Sequence, residues 1–359
     1  MNKDNPFKLL RRRIDRLDHR ILDLLNQRTR LAITIGRLKR QHGLGVYVPH
    51  RETTVLRKLL GSNRGPLKPR AVEAIFREIM SGSLAVEKEL TIAYLGPEAT
   101  FTHLAAMKKF GDSVKYYPCR AISDIFTEIE RERCEYGVVP IENSIEGAVN
   151  HTLDMFVDSP LKICSEVLLE ISHHLLSREK SLARVRRVYS NPQVFGQCRQ
   201  WLETHLKHAA LMECSSTSEA ARRAARERGV GAIASELAGK IYGLKPLASS
   251  IEDSAHNWTR FLVIGRQSSG RTRLDKTSIL FSITDRVGAL QRMLYPFRKY
   301  RINLTKIESR PSKRKAWDYY FFVDLEGHVE EPRVRKALKS LERSCRYLKV
   351  LGSYPQARS

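Results

Sequence analysis

The chain has 359 residues, 42% of them apolar, which is enough for two or three separate cores. Its formal charge of +24 lies at the two ends: residues 1–90 carry 20 basic and 9 acidic groups, 91–270 carry 22 and 21, and 271–359 carry 21 and 9. Six cysteines without CxxC spacing, no secretory leader and no apolar run of membrane-spanning length argue against a secreted disulfide scaffold or a membrane protein, and a cytoplasmic location with free thiols is expected.

The first element predicted is a long helix from about Phe7 to about Gln41, roughly 50 Å in length. Phe7, Leu10, Ile14, Leu17, Ile21, Leu24, Leu31, Ile35 and Leu38 recur at spacings of three and four, the a/d pattern of a packed seam, and Arg28 occupies the remaining place. A guanidinium among leucines is costly unless it meets an anion. On this helix alone two readings stand level: an arginine that snorkels to water or pairs with a neighbouring carboxylate, and one that holds an anionic ligand. Lys39 favours the ligand, because at eleven residues beyond Arg28 it points the same way about 16 Å along the axis, so both side chains can converge on one small dianion. Arg11 lies about 25 Å from Arg28 and is rotated off that face. It can serve the same site only from a second copy of the helix, which predicts an intertwined dimer.

Gly43-Leu44-Gly45 breaks the helix, and Pro49 with Arg51-Glu52 opens a shorter one to about Leu60. After a turn at Gly61 to Pro66, a third helix from about Pro69 to Leu90 carries Val72, Phe76, Ile79, Ser83, Val86 and Leu90 on its inner stripe. Ser83 interrupts that stripe, and Glu87 at i+4 reaches the same spot. Singly they read as a tolerated small residue and a solvated charge. With Arg11, Arg28, Lys39, Arg51 and Glu52 they make an all-helical pocket rich in cations and containing two carboxyls.

From Ile92-Ala93-Tyr94-Leu95 onward, short apolar runs alternate with helical stretches. Val138-Val139, Val188-Tyr189, Gly231-Ala232-Ile233-Ala234 and Phe261-Leu262-Val263-Ile264 are strand candidates, and Ser216-Thr217-Ser218-Glu219 is a capping box opening a helix through Arg228. The alternation predicts a parallel sheet flanked by helices, in one domain or two lobes. Polar clusters fall at strand ends, where open α/β sheets bind ligands: Glu142-Asn143-Ser144, Ser190-Asn191-Pro192-Gln193 with Gln197 one turn on, and Asn257-Trp258-Thr259-Arg260. Each alone is an ordinary loop or cap set; together they predict a cleft. His173-His174, the one histidine pair, lacks further ligands at metal-site spacing and reads as structural.

Residues 266 to 276, rich in Gly, Ser, Arg and Lys, form a linker by content. Beyond it strands are predicted at Thr277 to Thr284, Ile302 to Arg310, Trp317 to Leu325 and Tyr347 to Tyr354, with helices at Val287 to Tyr300 and Pro332 to Cys345. That order is βαββαβ, a ferredoxin-like unit.

Residues 1–90 resemble the all-helical chorismate mutase domain. The rest resembles the prephenate dehydratase that follows it in the bifunctional enzymes of bacterial phenylalanine synthesis, and the last unit resembles the ACT regulatory domain. The resemblance implies three domains: an all-α mutase (1–90) in an intertwined dimer, an α/β dehydratase of two lobes with its site in the cleft (91–267), and an α+β ferredoxin-like ACT domain (276–355). Chorismate and prephenate are the implied substrates and phenylalanine the implied effector, with no cofactor, no metal, no membrane contact, and a homodimer that leaves higher association open. The mutase rearrangement needs no nucleophile, only a held conformer and stabilised charge. The family pattern assigns Arg11 of a partner subunit, Arg28 and Arg51 to carboxylates and positioning, Lys39 to the ether oxygen, Glu52 to the substrate hydroxyl, and Ser83 to the pocket. Val48 stands where an aspartate is common, which removes one hydroxyl contact, and Glu87 stands where glutamine is common, so it donates to the ether oxygen only when protonated. For the dehydratase the pattern assigns Thr259 to the acid role at the departing hydroxyl, with Glu142, Asn143, Ser144, Ser190, Gln197 and Arg260 lining the pocket. Thr259 has no useful acidity in water, so it acts as a positioned donor or relay. Ala99 replaces a glycine of the first loop. Gly288-Ala289-Leu290 and Glu308-Ser309-Arg310-Pro311 match the phenylalanine-binding motifs.

A nucleic-acid-binding protein is the competing class, with Arg11-Arg12-Arg13 and Lys313-Arg314-Lys315 as phosphate contacts. No helix-turn-helix, finger or aromatic-rich RNA motif accompanies them, so nucleic acid is not expected as a partner. A catalytically dead amino-acid sensor is disfavoured because the catalytic motifs are largely intact.

Overall fold

The computed structural model describes residues 6–42, 49–254, 256–283, 287–311 and 319–357. The Gly43-Leu44-Gly45 break, Val48, Thr284, Lys313-Arg314-Lys315 and the start of the strand expected at Trp317 lie outside them. The chain forms two compact units, one from positions within 1–48, 55–90 and 110–115, the other from 49–54, 91–109 and 116–359.

The first unit is built on helix α1 (Pro6–Gln41), the body of α2 (Pro49–Ser62) and α3 (Pro69–Glu87). Pro69 opens α3 at a position where a missing N–H costs nothing. The helix stops at Glu87, three residues short of the expected end, because Lys88 turns to an extended conformation. Helix α1 packs against α3. It nonetheless leaves its apolar seam open in the single chain: exposure runs from 51% at Ile35 to 71% at Phe7.

In the second unit, β1 (Thr91–Leu95), α4 (Phe101–Phe110), β2 (Lys115–Cys119), α5 (Ile122–Glu130), β3 (Tyr136–Asn143), β4 (Gly147–Ala148), α6 (Asn150–Asp158) and β5 (Lys162–Glu170) build most of one sheet. The chain then crosses into a second sheet through β6 (His174–Ser177), β7 (Arg187–Ser190), α7 (Pro192–Gln197), α8 (Arg199–His205), β8 (Ala210–Glu213), α9 (Thr217–Ala224), β9 (Val230–Ala234), α10 (Glu236–Tyr242) and β10 (Lys245–Ala248). It returns as β11 (Trp258–Gly265), which inserts between β3 and β5.

The two-lobed arrangement follows, but the sheets are mixed rather than wholly parallel. Strands β1 and β3 are parallel, as are β7 with β8 and β9, whereas β11 is antiparallel to both β3 and β5 and β6 is antiparallel to β9. The cause is topological: β5 leaves the first sheet and β11 re-enters it through the same crossover, so the two run in opposite directions. Helix α9 also ends earlier than Arg228, at Ala224. Ser216 caps it by accepting from the Glu219 N–H at 3.1 Å, while Glu219 turns its carboxylate to Arg222 and Arg223 instead of completing the capping box.

The C-terminal part runs β12 (Asp275–Ser282), α11 (Ala289–Lys299), β13 (Leu304–Pro311), β14 (Tyr319–Glu326), α12 (Pro332–Glu342) and β15 (Tyr347–Pro355), the expected βαββαβ order, with sheet order β13-β14-β12-β15. Helix α11 starts after Gly288, not at Val287, because Gly288 takes a left-handed φ of 73° that ordinary side chains disfavour. This sheet shares an apolar core with the first sheet of the second unit: Leu280, Phe322, Leu351 and Tyr354 pack with Phe156, Ile163 and Leu262.

Candidate active sites

In the first unit Arg28 reaches from the seam of α1 to α3. Its Nη1 donates to the Ser83 hydroxyl and approaches the Ile79 carbonyl at 3.5 Å; Ser83 in turn donates to that carbonyl at 2.8 Å. Ser83 is therefore a buried acceptor for the guanidinium, which accounts for a polar residue in an apolar stripe. Burial pulls the Arg28 guanidinium down from its ordinary range, and the Glu87 carboxylate opposes that shift. Glu87 lies directly against α1: a Cβ on Gly36 would come within 2.9 Å of its Oε2. Gly36 was not singled out by the sequence pattern, although it sits eight residues beyond Arg28, close to the same helical face. Lys39 is half-buried further along that helix, and Arg11 is exposed on it. In the second unit, Arg51 is exposed on the first turn of α2, and the Glu52 carboxylate is held by Lys109 of α4 at 2.9 Å.

The cleft residues of the second unit divide by strand alternation, since neighbours along a strand face opposite sides. Asn143 and Thr259 are register partners across β3 and β11, and Asn143 Nδ2 donates to Thr259 Oγ1 at 2.8 Å and to Asn257 Oδ1 at 2.7 Å. The Asn143 carboxamide oxygen accepts from the backbone N–H groups of Ile145 and Glu146 at 2.9 and 3.0 Å, so its orientation is pinned. Gln197 arrives from α7. Its Oε1 accepts from Asn257 Nδ2 at 3.3 Å, and its Nε2 donates to Glu146 at 3.1 Å. Thr259, Asn143, Asn257, Gln197 and Glu146 thus form one polar constellation; Asn257 belongs to a strand-end cluster expected at the cleft, whereas Glu146 joins it with no role expected.

Two expected members have their hydroxyls committed to the backbone. Ser190, fully buried, donates to the Ile233 carbonyl at 2.9 Å. Ser144 donates to the His256 carbonyl and accepts from the Trp258 N–H, both at 2.9 Å, which clamps the start of β11.

Arg260 and Glu142 are not brought into this constellation. Both belong to the opposite face from Thr259 and Asn143, and Arg260 is directed into the C-terminal sheet: its Nε meets Glu166 at 2.7 Å, Nη1 meets Asp324 at 2.5 Å and Nη2 donates to the Tyr354 hydroxyl at 2.9 Å. Burial opposes its charge, but Tyr354, Asp324 and Glu166 together hold it far above the ordinary arginine range. Glu142 pairs with Lys306 of β13 at 2.9 Å and lies 3.8 Å from Arg260. These ion pairs brace the strands that carry Thr259 and Asn143. In the C-terminal part, Gly288, Ala289 and Leu290 open α11, while Glu308, Ser309, Arg310 and Pro311 end the edge strand β13. Arg310 is paired with Asp154 of α6 at 3.1 and 3.2 Å.

Residues 10–88 match the family model of type II chorismate mutase, 92–269 that of prephenate dehydratase, and 277–343 that of the ACT domain. Fold and sites together define a multifunctional enzyme, an all-helical isomerase joined to a two-lobed α/β lyase and a small α+β domain. The bifunctional chorismate mutase/prephenate dehydratase of Aquifex aeolicus (strain VF5) is 51% identical over 355 residues, 98% of either chain. That of Escherichia coli (strain K12) is 32% identical over 377 residues, covering 99% of this chain and 97% of its own. A crystal structure of prephenate dehydratase in complex with L-Phe from Arthrobacter aurescens matches with a TM-score of 0.70 and 32% identity over 75% of this chain and 90% of that one. The chain belongs to the bifunctional chorismate mutase/prephenate dehydratases and carries both activities: chorismate to prephenate, and prephenate to phenylpyruvate.

Proposed function

We propose that the dehydratase step runs at the Thr259 hydroxyl. Prephenate loses carbon dioxide and its ring hydroxyl, aromatisation drives the reaction, and the protein must supply a proton or hydrogen bond to the departing oxygen. The observation that carries this reading is the bond from Asn143 Nδ2 to Thr259 Oγ1. With its oxygen already accepting, the threonine keeps its proton for the substrate, and the donated N–H polarises the O–H further. Gln197 orients the substrate from the other wall. Thr259→Ala abolishes phenylpyruvate formation while prephenate still accumulates from chorismate, and Thr259→Ser keeps part of the dehydratase rate; near-normal turnover in the alanine variant would move the donor elsewhere.

For the mutase, Arg28 and Arg51 clamp the carboxylates, Lys39 and protonated Glu87 donate to the ether oxygen, Glu52 meets the substrate hydroxyl, and Ser83 orients Arg28. Arg11 comes from a second chain, because the seam of α1, exposed along its length in one copy, is covered by the α1 of another in an intertwined homodimer. Phenylalanine binds at Gly288-Ala289-Leu290 and Glu308-Ser309-Arg310-Pro311 and inhibits the dehydratase. The Arthrobacter enzyme's crystallisation in complex with L-Phe supports phenylalanine as the ligand. No described helix is long and apolar enough to cross a membrane. Together with six free cysteines this supports a cytoplasmic enzyme.

A further inference from the structure

His173 lies where the chain passes between the two dehydratase sheets. It immediately precedes β6, its carbonyl accepts from the Ile251 N–H at 2.9 Å, and two residues earlier the Ile171 N–H donates to the Asn257 carbonyl at 2.8 Å. Both crossovers, outgoing and returning, are therefore tied together around it. The side chain is 1% exposed, and the Phe101 ring packs edge to face against it. Its Nε2 is 2.9 Å from Gln197 Oε1, while its Nδ1 is buried with no hydrogen-bond partner among the described residues.

The proton can be placed from the far end of this contact. The second amide atom of Gln197 faces the Glu146 carboxylate, and a carboxylate only accepts, so that atom is the NH2 group and the oxygen faces His173. Nε2 must then carry the proton and donate. The opposite tautomer would turn the Gln197 oxygen onto Glu146, acceptor against acceptor. Burial also pushes the imidazole toward its neutral form, with His174 adding to the shift and Gln197 and Glu252 opposing it. A buried ring with one nitrogen unsatisfied costs more than an apolar residue in the same place, so packing alone does not account for a histidine here.

We propose that His173 is a positioning residue of the dehydratase reaction: by donating from Nε2 it holds the Gln197 carboxamide in the one orientation that bridges α7 of the second lobe to Asn257 and Glu146 of the first, and so sets the cleft around Thr259. The inference rests on the reading of Thr259 as the hydrogen-bond donor. Without the histidine proton, the Gln197 oxygen keeps only the long 3.3 Å bond from Asn257, and the bridge between the lobes on this side is loosened.

Kinetics on the full-length enzyme test this, with mutase turnover and thermal midpoint of each preparation as controls for folding. His173→Leu is expected to lower dehydratase kcat by about tenfold, the scale of one lost buried hydrogen bond, while mutase turnover stays at the wild-type rate. His173→Gln, whose amide can still reach Gln197, restores most of kcat, and His173→Asn, whose amide is too short, does not; this pair decides the matter even if the leucine protein fails to fold. In the Gln197→Ala background the His173 substitutions add little, because the histidine acts through that residue. Wild-type dehydratase kcat in the leucine or asparagine variant, failure of the glutamine variant to recover, or losses that multiply in the double variants would each overturn the assignment. Dehydratase turnover retained by Thr259→Ala would instead remove the reading beneath it, so the two failures are distinct.

Discussion

At the scale of single residues, the chemistry depends on which groups still have a proton to give. Thr259 has one because Asn143 fills its acceptor site; Ser190 and Ser144 have donated theirs to carbonyls. Glu87 has one only when neutral, so mutase activity should fall as pH rises through its titration, and Glu87→Gln should flatten that profile. A pH–rate profile of both proteins decides it, an unchanged profile meaning that another group faces the ether oxygen. In the sequence Arg28 was legible as the charged place in an apolar seam, Ser83 and Glu87 as an i+4 pair on another helix, and Thr259 and Asn143 as strand-end polar residues; that Arg28 meets Ser83 is set by the packing of α1 on α3. The sequence did not reveal that Glu142 and Arg260 serve the other face. A motif read as a block of consecutive letters hides the period of two, and only the register of β11 between β3 and β5 shows that each dipeptide divides between the cleft and the C-terminal sheet. His173 was hidden for a different reason: its partner Gln197 is brought to it by the fold, not by spacing in the chain.

At the scale of elements, α1 is the part most fully written in the sequence, since nine apolar positions at heptad spacing specify both a helix and a partner for it. The same helix requires Gly36 where α3 brings Glu87 close, a close approach that no apolar pattern signals. The sharing of the mutase site is an element-level claim, because Arg11 and Arg28 are separated by nearly five turns of one rigid helix. Arg11→Ala and Arg28→Ala proteins should each be inactive as mutases and should recover part of the activity when co-refolded, as one intact site per heterodimer is then assembled. Verified heterodimers without recovery would refute the sharing. The sheets were less legible: alternating helices and strands predict parallel pairing, and nothing local in β11 tells that the chain has visited a second sheet before returning antiparallel to β5.

At the scale of the whole molecule, the C-terminal sheet and the first dehydratase sheet share a core and a buried ion network through Arg260, Glu166, Asp324 and Lys276. Any effector that shifts the C-terminal sheet therefore acts on the strands bearing Thr259, provided it binds two arrangements with different affinity. Calorimetry on the intact chain should show phenylalanine binding that is lost in Gly288→Val, and by linkage phenylalanine and an active-site ligand should weaken each other's binding by the same factor. Equal binding by the Gly288 variant would place the effector site elsewhere. The central claim, two successive reactions in one chain, is tested most directly by supplying chorismate to the purified protein and following prephenate and phenylpyruvate separately. The account predicts that prephenate appears first and is then consumed as phenylpyruvate forms, with phenylalanine slowing the second phase. Chorismate left unchanged, or prephenate accumulating without phenylpyruvate, would contradict it.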